Sequence, residues 1–185
     1  MVFRTISRLS CYSVIVKKVS DFKKGEARMS EINYHEMLHQ DTIFLDIDAE
    51  NSDQLFEQVG SKLKQLGYAK DSYIDALKKR EKEFPTGLVT KYLPIALPHV
   101  DPENINKPFI AAVKNSKPIH MLQMGSNEDM EAQYFFFLGI TDSSHQVVLL
   151  QKFMQLLQDQ KFADNLTSQT DPEGMYQFLT KAFIG

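Results

Sequence analysis

His99 is the histidine of this sequence whose surroundings best suit a nucleophile. It follows a short strand-like run, Ile95–Leu97, and comes directly after Pro98. Proline fixes its own φ and has no N–H group, so we expect the strand to end there and the turn to be stiff. An imidazole on a stiff turn has a defined direction and access to solvent, and with an ordinary pKa of about 6.5 it is largely neutral at pH 7. These properties favour a nucleophilic nitrogen, although an ordinary surface-turn histidine has the same spacing.

His145 and Arg80 are the other two candidate site residues, because both suit an anion such as phosphate. His145 follows Ser143 and Ser144 at the expected start of a helix, where backbone N–H groups favour an anion and a neutral imidazole. Arg80 is expected in the last turn of an earlier helix, and its guanidinium offers a planar fork that matches phosphate oxygens. A capping-region histidine and an arginine that only stabilises the negative end of its helix are the alternatives. Spacing does not choose between them.

The segment His35-Glu36-Met37-Leu38-His39 matches the HExxH pattern of zinc proteases. In that pattern two histidines one helical turn apart hold Zn²⁺, and the glutamate is the general base. The segment is short, however, and runs directly into a strand expected at Thr42, so no long helix is available to bury a metal. A zinc hydrolase is therefore the disfavoured alternative, and we predict neither a metal nor a cofactor. His120, in an alternating strand-like run, is expected to be a packed sheet residue.

The elements that position these side chains follow from the spacing of apolar residues. A strand comes first, then two amphipathic helices, three short strand-like runs, a longer apolar strand and three helices. In order, they are Thr42–Asp48; Asn51–Leu66; Asp71–Arg80; Ile95–Leu97, Phe109–Val113 and Ile119–Met124; Tyr134–Ile140; and helices that begin at Thr141–Ser144, Asp159 and Asp171. The run Tyr134–Ile140 is apolar on both faces, which favours a central strand. This order predicts an α/β (α+β) sandwich, in which helices cover a mixed sheet.

The composition is that of one ordinary globular domain. Of the 185 residues, 43% are apolar and 24% are charged, so the chain can bury a core. Its single cysteine, Cys11, excludes an internal disulfide framework and a zinc site built from cysteines. No apolar run approaches the ~18 residues of a membrane span, so we expect no direct insertion into a membrane.

Charge is divided unevenly along the chain. Residues 1–28 contain seven lysines and arginines against two acids, whereas residues 29–185 contain fourteen against twenty-two. The acidic body is a poor candidate for nucleic-acid binding, which needs a basic surface. Residues 1–28 lack the long apolar run and cleavage site of a secretory signal, and Met29-Ser30-Glu31 is similar to a second start. We therefore interpret residues 1–28 as a basic, dispensable extension and residues 29–185 as the domain.

Three segments in register resemble the mannitol/fructose-type enzyme IIA domain of the bacterial phosphoenolpyruvate-dependent sugar phosphotransferase system. They are Arg80-Glu81-Lys82-Glu83-Phe84-Pro85-Thr86-Gly87-Leu88, Ile95-Ala96-Leu97-Pro98-His99 and His145-Gln146-Val147-Val148-Leu149-Leu150-Gln151. Their order and spacing agree with the family across residues 40–183. The segments 84–88 and 118–125 are most similar to the galactitol-type branch.

The resemblance implies a reaction and its partners. The family's phosphorylated histidine corresponds to His99, its second active-site histidine to His145 and its arginine to Arg80. His99 would accept a phosphoryl group from the histidine phosphocarrier protein HPr and pass it to a cysteine of the cognate IIB component, which serves a membrane IIC component in sugar uptake. The implied protein is a cytoplasmic phosphotransferase component without a cofactor. A regulatory protein that signals through its phosphorylation state is the second hypothesis and uses the same histidine.

The resemblance also implies a shallow site, because both partners bring large folded surfaces. We therefore expect His99 on an exposed, partly apolar patch of the size that suits a short-lived contact. Leu93, Val100 and Phe84 are candidates for its rim, with packing as the alternative. Asp101 either orients an imidazole or repels a phosphate, and the sequence leaves this open.

Overall fold

The computed structural model describes residues 32–185, so the basic segment 1–28 and the predicted second start at Met29-Ser30-Glu31 lie outside the described residues. The described part forms five strands and five α-helices, with short 3-10 helices at Tyr34–Glu36 and Pro102–Asn104. In chain order the elements are β1 (Leu38–Ile47), α1 (Ser52–Gln65), α2 (Tyr73–Glu83), β2 (Gly87–Leu88), β3 (Ile95–Ala96), β4 (Phe109–Leu122), β5 (Asp129–Gly139), α3 (Ser144–Leu156), α4 (Gln160–Ser168) and α5 (Pro172–Ile184).

The strands form one mixed sheet in the order β1-β4-β5-β3-β2. β1 runs parallel to β4 and β3 runs parallel to β5, whereas the β4–β5 and β2–β3 pairs are antiparallel. β5 is the middle strand of the five, as its apolar sequence predicts. The mixed sheet and its central strand are thus confirmed.

Alternate residues of the central strand face two separate cores. Phe135 and Phe137 belong to the core that contains the buried side chains of α1 and α2. Phe136, between them, belongs to the core that contains the buried side chains of α3, α4 and α5. Because side chains alternate along a strand, one apolar run fills both cores. Helices therefore cover both faces of the sheet, which confirms the predicted α/β sandwich.

Some of the residues that predict helix ends act as expected, whereas the side chains of Ser72 and Ser143 make no capping hydrogen bond. The side chain of Asn51 accepts a hydrogen bond at 3.0 Å from the backbone three residues later, and Gly67 follows α1 with a φ of +82°. Asp171 caps α5 in the same way at 2.9 Å, and Pro172 occupies the first helical position. No helix in residues 32–185 combines the length and the apolar sequence needed to span a membrane.

The hairpin of β4 and β5 differs most from the expectation. The two predicted runs Phe109–Val113 and Ile119–Met124 form one strand, β4, whose register against β5 shifts between Lys114 and Ile119. Asn115, in the polar stretch between the runs, is buried, and its amide accepts from and donates to the backbone of Ala49 at 2.9 and 2.8 Å. Because this polar side chain has backbone partners, the strand continues between the two predicted runs.

Candidate active site

His99 lies just after β3, beside the central strand β5. The N–H group of Leu138 donates a hydrogen bond to the carbonyl of Pro98 at 2.9 Å, and His99 forms a parallel bridge with Leu138. The strand β3 ends before Pro98, as expected, and one isolated bridge beyond it uses the proline carbonyl rather than its missing N–H group. Hydrogen bonding to β5 holds the backbone at His99 in position.

His99 is only 4% exposed, so the expected access to solvent and the expected exposed patch around the ring are wrong. Arg80 on α2 and Gln146 on α3 both contact Nε2 of its ring. Of the expected rim residues, Val100 is buried in the core and Leu93 is half-buried. Phe84 remains exposed, at 61%, next to the end of α2.

The ring nitrogens of His99 have different roles. Nδ1 lies 2.7 Å from the carbonyl oxygen of Leu97, and since a carbonyl can only accept, Nδ1 carries the proton and donates it. In the neutral ring Nε2 then holds a lone pair. Two donors approach this atom, Nη2 of Arg80 at 3.1 Å and the side-chain amide nitrogen of Gln146 at 3.1 Å. Nε2 is therefore the ring nitrogen available as a nucleophile.

The guanidinium of Arg80 is held from several sides. Its Nη1 lies 3.8 Å from a carboxylate oxygen of Asp101, and its central carbon lies 5.6 Å from the centre of the Phe84 ring. The Nε atom of Arg80 is buried and has no hydrogen-bond partner among the described residues. A buried N–H group without an acceptor is costly, so an anion bound beside His99 would satisfy it. The question left open for Asp101 is answered in part, since its ion pair is with the guanidinium.

Glu81 fixes the segment that follows α2. Its carboxylate accepts hydrogen bonds from the backbone N–H and the hydroxyl of Thr86 at 3.0 and 2.7 Å. Burial raises the pKa of Glu81, although these two hydrogen bonds and the charge of Arg80 oppose the shift. The carbonyl of Thr86 in turn accepts from the N–H group of Leu97 at 3.1 Å. The last turn of α2, which carries Arg80, is thereby linked to the residues that lead into His99.

The pKa of His99 lies below the ordinary histidine value of 6.5. Burial of the ring is the main cause, because a charged imidazole loses its hydration there. The hydrogen bond to the Leu97 carbonyl and the carboxylate of Asp101 raise the pKa, while the charge of Arg80 lowers it further. The net result favours the neutral ring, with its Nε2 lone pair available, at pH 7.

The first turn of α3 brings Gln146 into contact with His99 and also carries His145. Asp142 accepts a hydrogen bond from the N–H group of Ser144 at 2.9 Å, and this bond lowers the pKa of Asp142. His145 is half-buried in the first turn of α3, as its position after the serines predicts. The next residue, Gln146, supplies the 3.1 Å contact with Nε2 of His99. Sequence patterns did not single out Gln146, because an amide does not titrate, and its place directly after His145 was the available signal.

A comparison with known protein families decides what kind of domain carries this site. The family described as phosphoenolpyruvate-dependent sugar phosphotransferase system, EIIA 2, matches residues 36–182. This chain belongs to that family. The matched part contains β1 and nearly all of α5, together with Arg80, His99 and His145. The predicted resemblance to enzyme IIA is confirmed, and the chain is a domain of the phosphotransferase-component type.

Relatives and solved structures agree with this assignment to the enzyme IIA family. The galactitol-specific EIIA component of Escherichia coli (strain K12) is 23% identical over 128 residues, which are 69% of this chain and 85% of the relative. The crystal structure of mannitol IIA from Escherichia coli has a TM-score of 0.62 at 20% identity and covers 77% of this chain and 98% of its own. The same enzyme in complex with phosphorylated mannitol IIB has a TM-score of 0.63 at 20% identity, over 78% of this chain and 97% of its own. The crystal structure of nitrogen regulatory protein IIA-Ntr from Neisseria meningitidis has a TM-score of 0.62 at 20% identity and covers 80% of this chain and 99% of its own.

The HExxH segment of this enzyme IIA domain does not form the helix that its pattern requires. His35 lies in a 3-10 helix, whereas His39 lies in β1 and its Nε2 is 3.2 Å from the carbonyl oxygen of Pro108. Two histidines are brought to one side of a metal by one turn of α-helix, and an extended strand separates them. In the part of the chain that is described, no group of three or more histidines, cysteines and acids is arranged to hold a metal ion.

His120 also differs from the expectation for this domain. It lies on β4, but its side chain is exposed and its Nε2 is 2.7 Å from a carboxylate oxygen of Asp129 on β5. Its neighbour Met121 is buried in the core under α1 and α2, so His120 points to the other face of the sheet. That face is not covered at this end of the hairpin, and the packed position predicted for His120 is wrong.

Proposed function

We propose that this protein is a phosphocarrier that accepts a phosphoryl group from phospho-HPr on Nε2 of His99 and passes it to a cysteine of its cognate IIB component. The observation that carries the proposal is the state of the His99 ring. Nδ1 donates its proton to the Leu97 carbonyl at 2.7 Å, and the Nε2 lone pair faces the Arg80 guanidinium at 3.1 Å. A neutral nucleophile beside a fixed positive charge is what phosphoryl transfer to nitrogen needs.

Each transfer exchanges one bond to phosphorus for another. The Nε2 lone pair of His99 forms the new N–P bond, while the N–P bond of the donor phosphohistidine breaks and its electron pair returns to the donor ring. The Nδ1 proton stays on His99, where the Leu97 carbonyl accepts it in both states. In the onward step a cysteine thiolate forms an S–P bond and the electron pair returns to Nε2. No metal or cofactor takes part in this scheme, because the protein supplies position and charge.

Arg80 is proposed to stabilise the phosphoryl group. Its Nη2 already contacts the reacting nitrogen, and its buried Nε lacks an acceptor among the described residues. Two N–H groups of one guanidinium suit two oxygens of a phosphoryl group better than any lysine does. His145, at the start of α3, is proposed as a further donor, because N–H groups at a helix start favour an anion.

Burial of His99 places a condition on both transfers. The ring is 4% exposed and its reacting atom is covered by the side chains of Arg80 and Gln146. An incoming phosphorus atom needs the space in line with the Nε2 lone pair. We therefore infer that docking of a partner is accompanied by movement of these two side chains away from the lone pair and towards the phosphoryl oxygens.

The decisive experiment is phosphate transfer from phosphoenolpyruvate through enzyme I and HPr. We expect one phosphate per chain, labile in acid and stable in alkali, and no labelling of His99→Ala. His120→Ala, which removes an exposed histidine from β4, is the matched control and should label normally. His145→Ala should fold and transfer more slowly, by about 2–4 kcal/mol of transition-state stabilisation. Normal labelling of His99→Ala would refute the proposal.

A regulatory role is the second candidate function, and the similarity to the nitrogen regulatory protein IIA-Ntr favours keeping it. Both functions use phosphorylated His99, so variants of His99 do not separate them. Transfer of the phosphate from this protein to the cysteine of a IIB protein, followed by sugar phosphorylation through a membrane IIC component, is expected for the transport function. The similarity to a galactitol-specific EIIA component supports galactitol or a related sugar as the first to be tested.

We further propose that residues 29–185 form the phosphocarrier domain and that it acts in the cytoplasm, where HPr and IIB partners would meet it. The family match that begins at residue 36 supports this boundary. Removal of residues 1–28 should leave the rate and extent of labelling unchanged. A large loss would show that the basic segment contributes to transfer.

A further inference from the structure

Gln146 contacts the proposed phosphoryl acceptor as closely as Arg80 does. Its side-chain amide nitrogen lies 3.1 Å from Nε2 of His99 and comes from the first turn of α3. We propose that Gln146 is a catalytic residue, whose amide N–H binds the Nε2 lone pair of unphosphorylated His99 and transfers to a phosphoryl oxygen as the N–P bond forms. This inference rests on the proposed function of His99 and adds a residue that the family resemblance did not supply.

The hydrogen bonding of Nε2 requires such a transfer. A neutral imidazole with its proton on Nδ1 has one lone pair at Nε2, and both Arg80 and Gln146 donate towards it at 3.1 Å. When that electron pair forms the bond to phosphorus, both donors lose their acceptor at once. The phosphoryl group brings three oxygens to the same place. Because a buried donor without an acceptor is destabilising, each N–H group gains by turning to an oxygen.

The amide contributes something that the guanidinium does not. Arg80 carries a full positive charge, paired in part with Asp101, and it strengthens binding of the charged phosphoryl group. Gln146 is neutral and donates to the acceptor both before and after transfer. Its loss should therefore reduce the rates of phosphoryl acceptance and onward transfer more than it changes the equilibrium between them.

The fold holds Gln146 where this exchange is possible. It lies in the first turn of α3, which is anchored by the hydrogen bond from the Ser144 N–H to Asp142 at 2.9 Å. Leu149 and Phe153, farther along α3, are fully buried in the core beneath it. The helix thus fixes the backbone of Gln146, and its half-buried side chain needs only a rotation to change acceptor.

The test compares Gln146→Leu and Gln146→Glu with wild type in single-turnover transfer from saturating phospho-HPr. Leucine removes both polar atoms, and glutamate removes the donor and adds a charge that repels phosphate. We expect the saturated rate to fall about 10²-fold in Gln146→Leu and further in Gln146→Glu, with little change in the concentration of phospho-HPr that gives half the maximal rate. Gln155→Leu, an exposed position of the same helix, should transfer at the wild-type rate.

A second measurement does not depend on any variant. The side-chain amide resonances of Gln146 in the full chain should shift when His99 is phosphorylated, because their acceptor changes from nitrogen to oxygen. Unchanged resonances would overturn the inference, as would wild-type saturated rates in both variants. A loss confined to the affinity for phospho-HPr would make Gln146 a docking contact and would also overturn it. If wild type takes up no phosphate at His99, the proposed function itself fails, which is a distinct result.

Discussion

The two helical layers of this protein meet at His99, and each provides a different kind of hydrogen-bond donor to its Nε2 atom. The layer of α1 and α2 contributes Arg80, whose charged guanidinium forms an ion pair with Asp101. The buried Nε of Arg80 has no hydrogen-bond partner among the described residues. The layer of α3 to α5 contributes Gln146, a neutral amide, from the first turn of α3. The proposed acceptor nitrogen therefore has one charged donor and one neutral donor.

This difference follows from which ends of the helices reach the site. Arg80 lies in the last turn of α2, where a cation is favoured by the negative end of the helix. Gln146 lies in the first turn of α3, where backbone N–H groups already favour an anion and a neutral donor is sufficient. The comparison teaches that charge comes from one layer alone, so a phosphoryl group would be stabilised without being held by two cations.

Loss of the charged donor should have the largest effect. Arg80→Ala removes the positive charge together with the Nη2 and Nε donors proposed to bind the phosphoryl group, so we expect the saturated rate of transfer from phospho-HPr to fall about 10²–10³-fold. The fall should exceed that of Gln146→Leu. Quenched single-turnover measurements of labelled protein give both rates.

Lys79→Ala is the matched control, because Lys79 is the exposed cation next to Arg80 on α2. It should transfer at the wild-type rate if position rather than total charge matters. An equal loss of transfer rate in Lys79→Ala and Arg80→Ala would contradict the specific role of Arg80. A smaller loss of rate in Arg80→Ala than in Gln146→Leu would show that the charged donor is not the more important of the two.

The acidity of the ring gives a second test of the same comparison. Since burial and the charge of Arg80 lower the pKa of His99, its folded form binds a proton only at a pH below the ordinary value of about 6.5. At pH 5.5 an ordinary imidazole keeps about a tenth of its neutral form, and His99 should keep a larger share. An NMR titration of the ring protons, assigned by their loss in His99→Ala, measures this.

The titration also separates the causes of the shift. In Arg80→Ala the charge is absent, so the pKa of His99 should rise, while burial still opposes protonation. A ring in wild type that titrates at or above 6.5 would contradict the neutral acceptor described for this site.

The smallest expected effect belongs to the counter-ion of the charged donor. Asp101→Asn leaves the exposed residue 101 without its charge and frees Arg80 from the 3.8 Å ion pair. Because exposed ion pairs contribute little, we expect about a two- to threefold higher equilibrium fraction of phosphorylated protein. The same change should lower the pKa of His99, since Asp101 raises it. A lower phosphorylated fraction would show that the carboxylate supports the phosphoryl group rather than competing with it.

Much of the fold is predictable from local patterns. The apolar run of β5, the capping residues Asn51 and Asp171 and the proline at the start of α5 all act through neighbours close in sequence. The joined strand β4 was missed, since the polar stretch around Asn115 is stabilised by the backbone of Ala49, which is 66 residues away. A pattern of apolar residues contains no information about such a distant partner.

The histidine motifs show the same limit. Two short patterns suggest chemistry, the HExxH segment His35–His39 and the pair Pro98-His99. In the first, His35 lies in a 3-10 helix and His39 in a strand, so the two histidines are separated. In the second, side chains from two helices contact the ring of His99. The burial of His99 and the exposure of His120 were both predicted wrongly, because solvent access depends on which elements cover a residue.

By itself, the sequence determined the order of the longer elements, the central strand and the helix ends at Asn51, Gly67 and Asp171. Through the family resemblance it also associated Arg80 with the Pro98-His99 motif. Only the tertiary structure decided the burial of the ring, the proton on Nδ1 and the approach of Gln146. The physical reason is the sequence distance over which each effect acts. Periodicity and capping depend on residues a few positions apart. The environment of Nε2 depends on Arg80 and Gln146, which lie 19 and 47 residues from His99 in the chain and contact it only when both helical layers pack on the sheet.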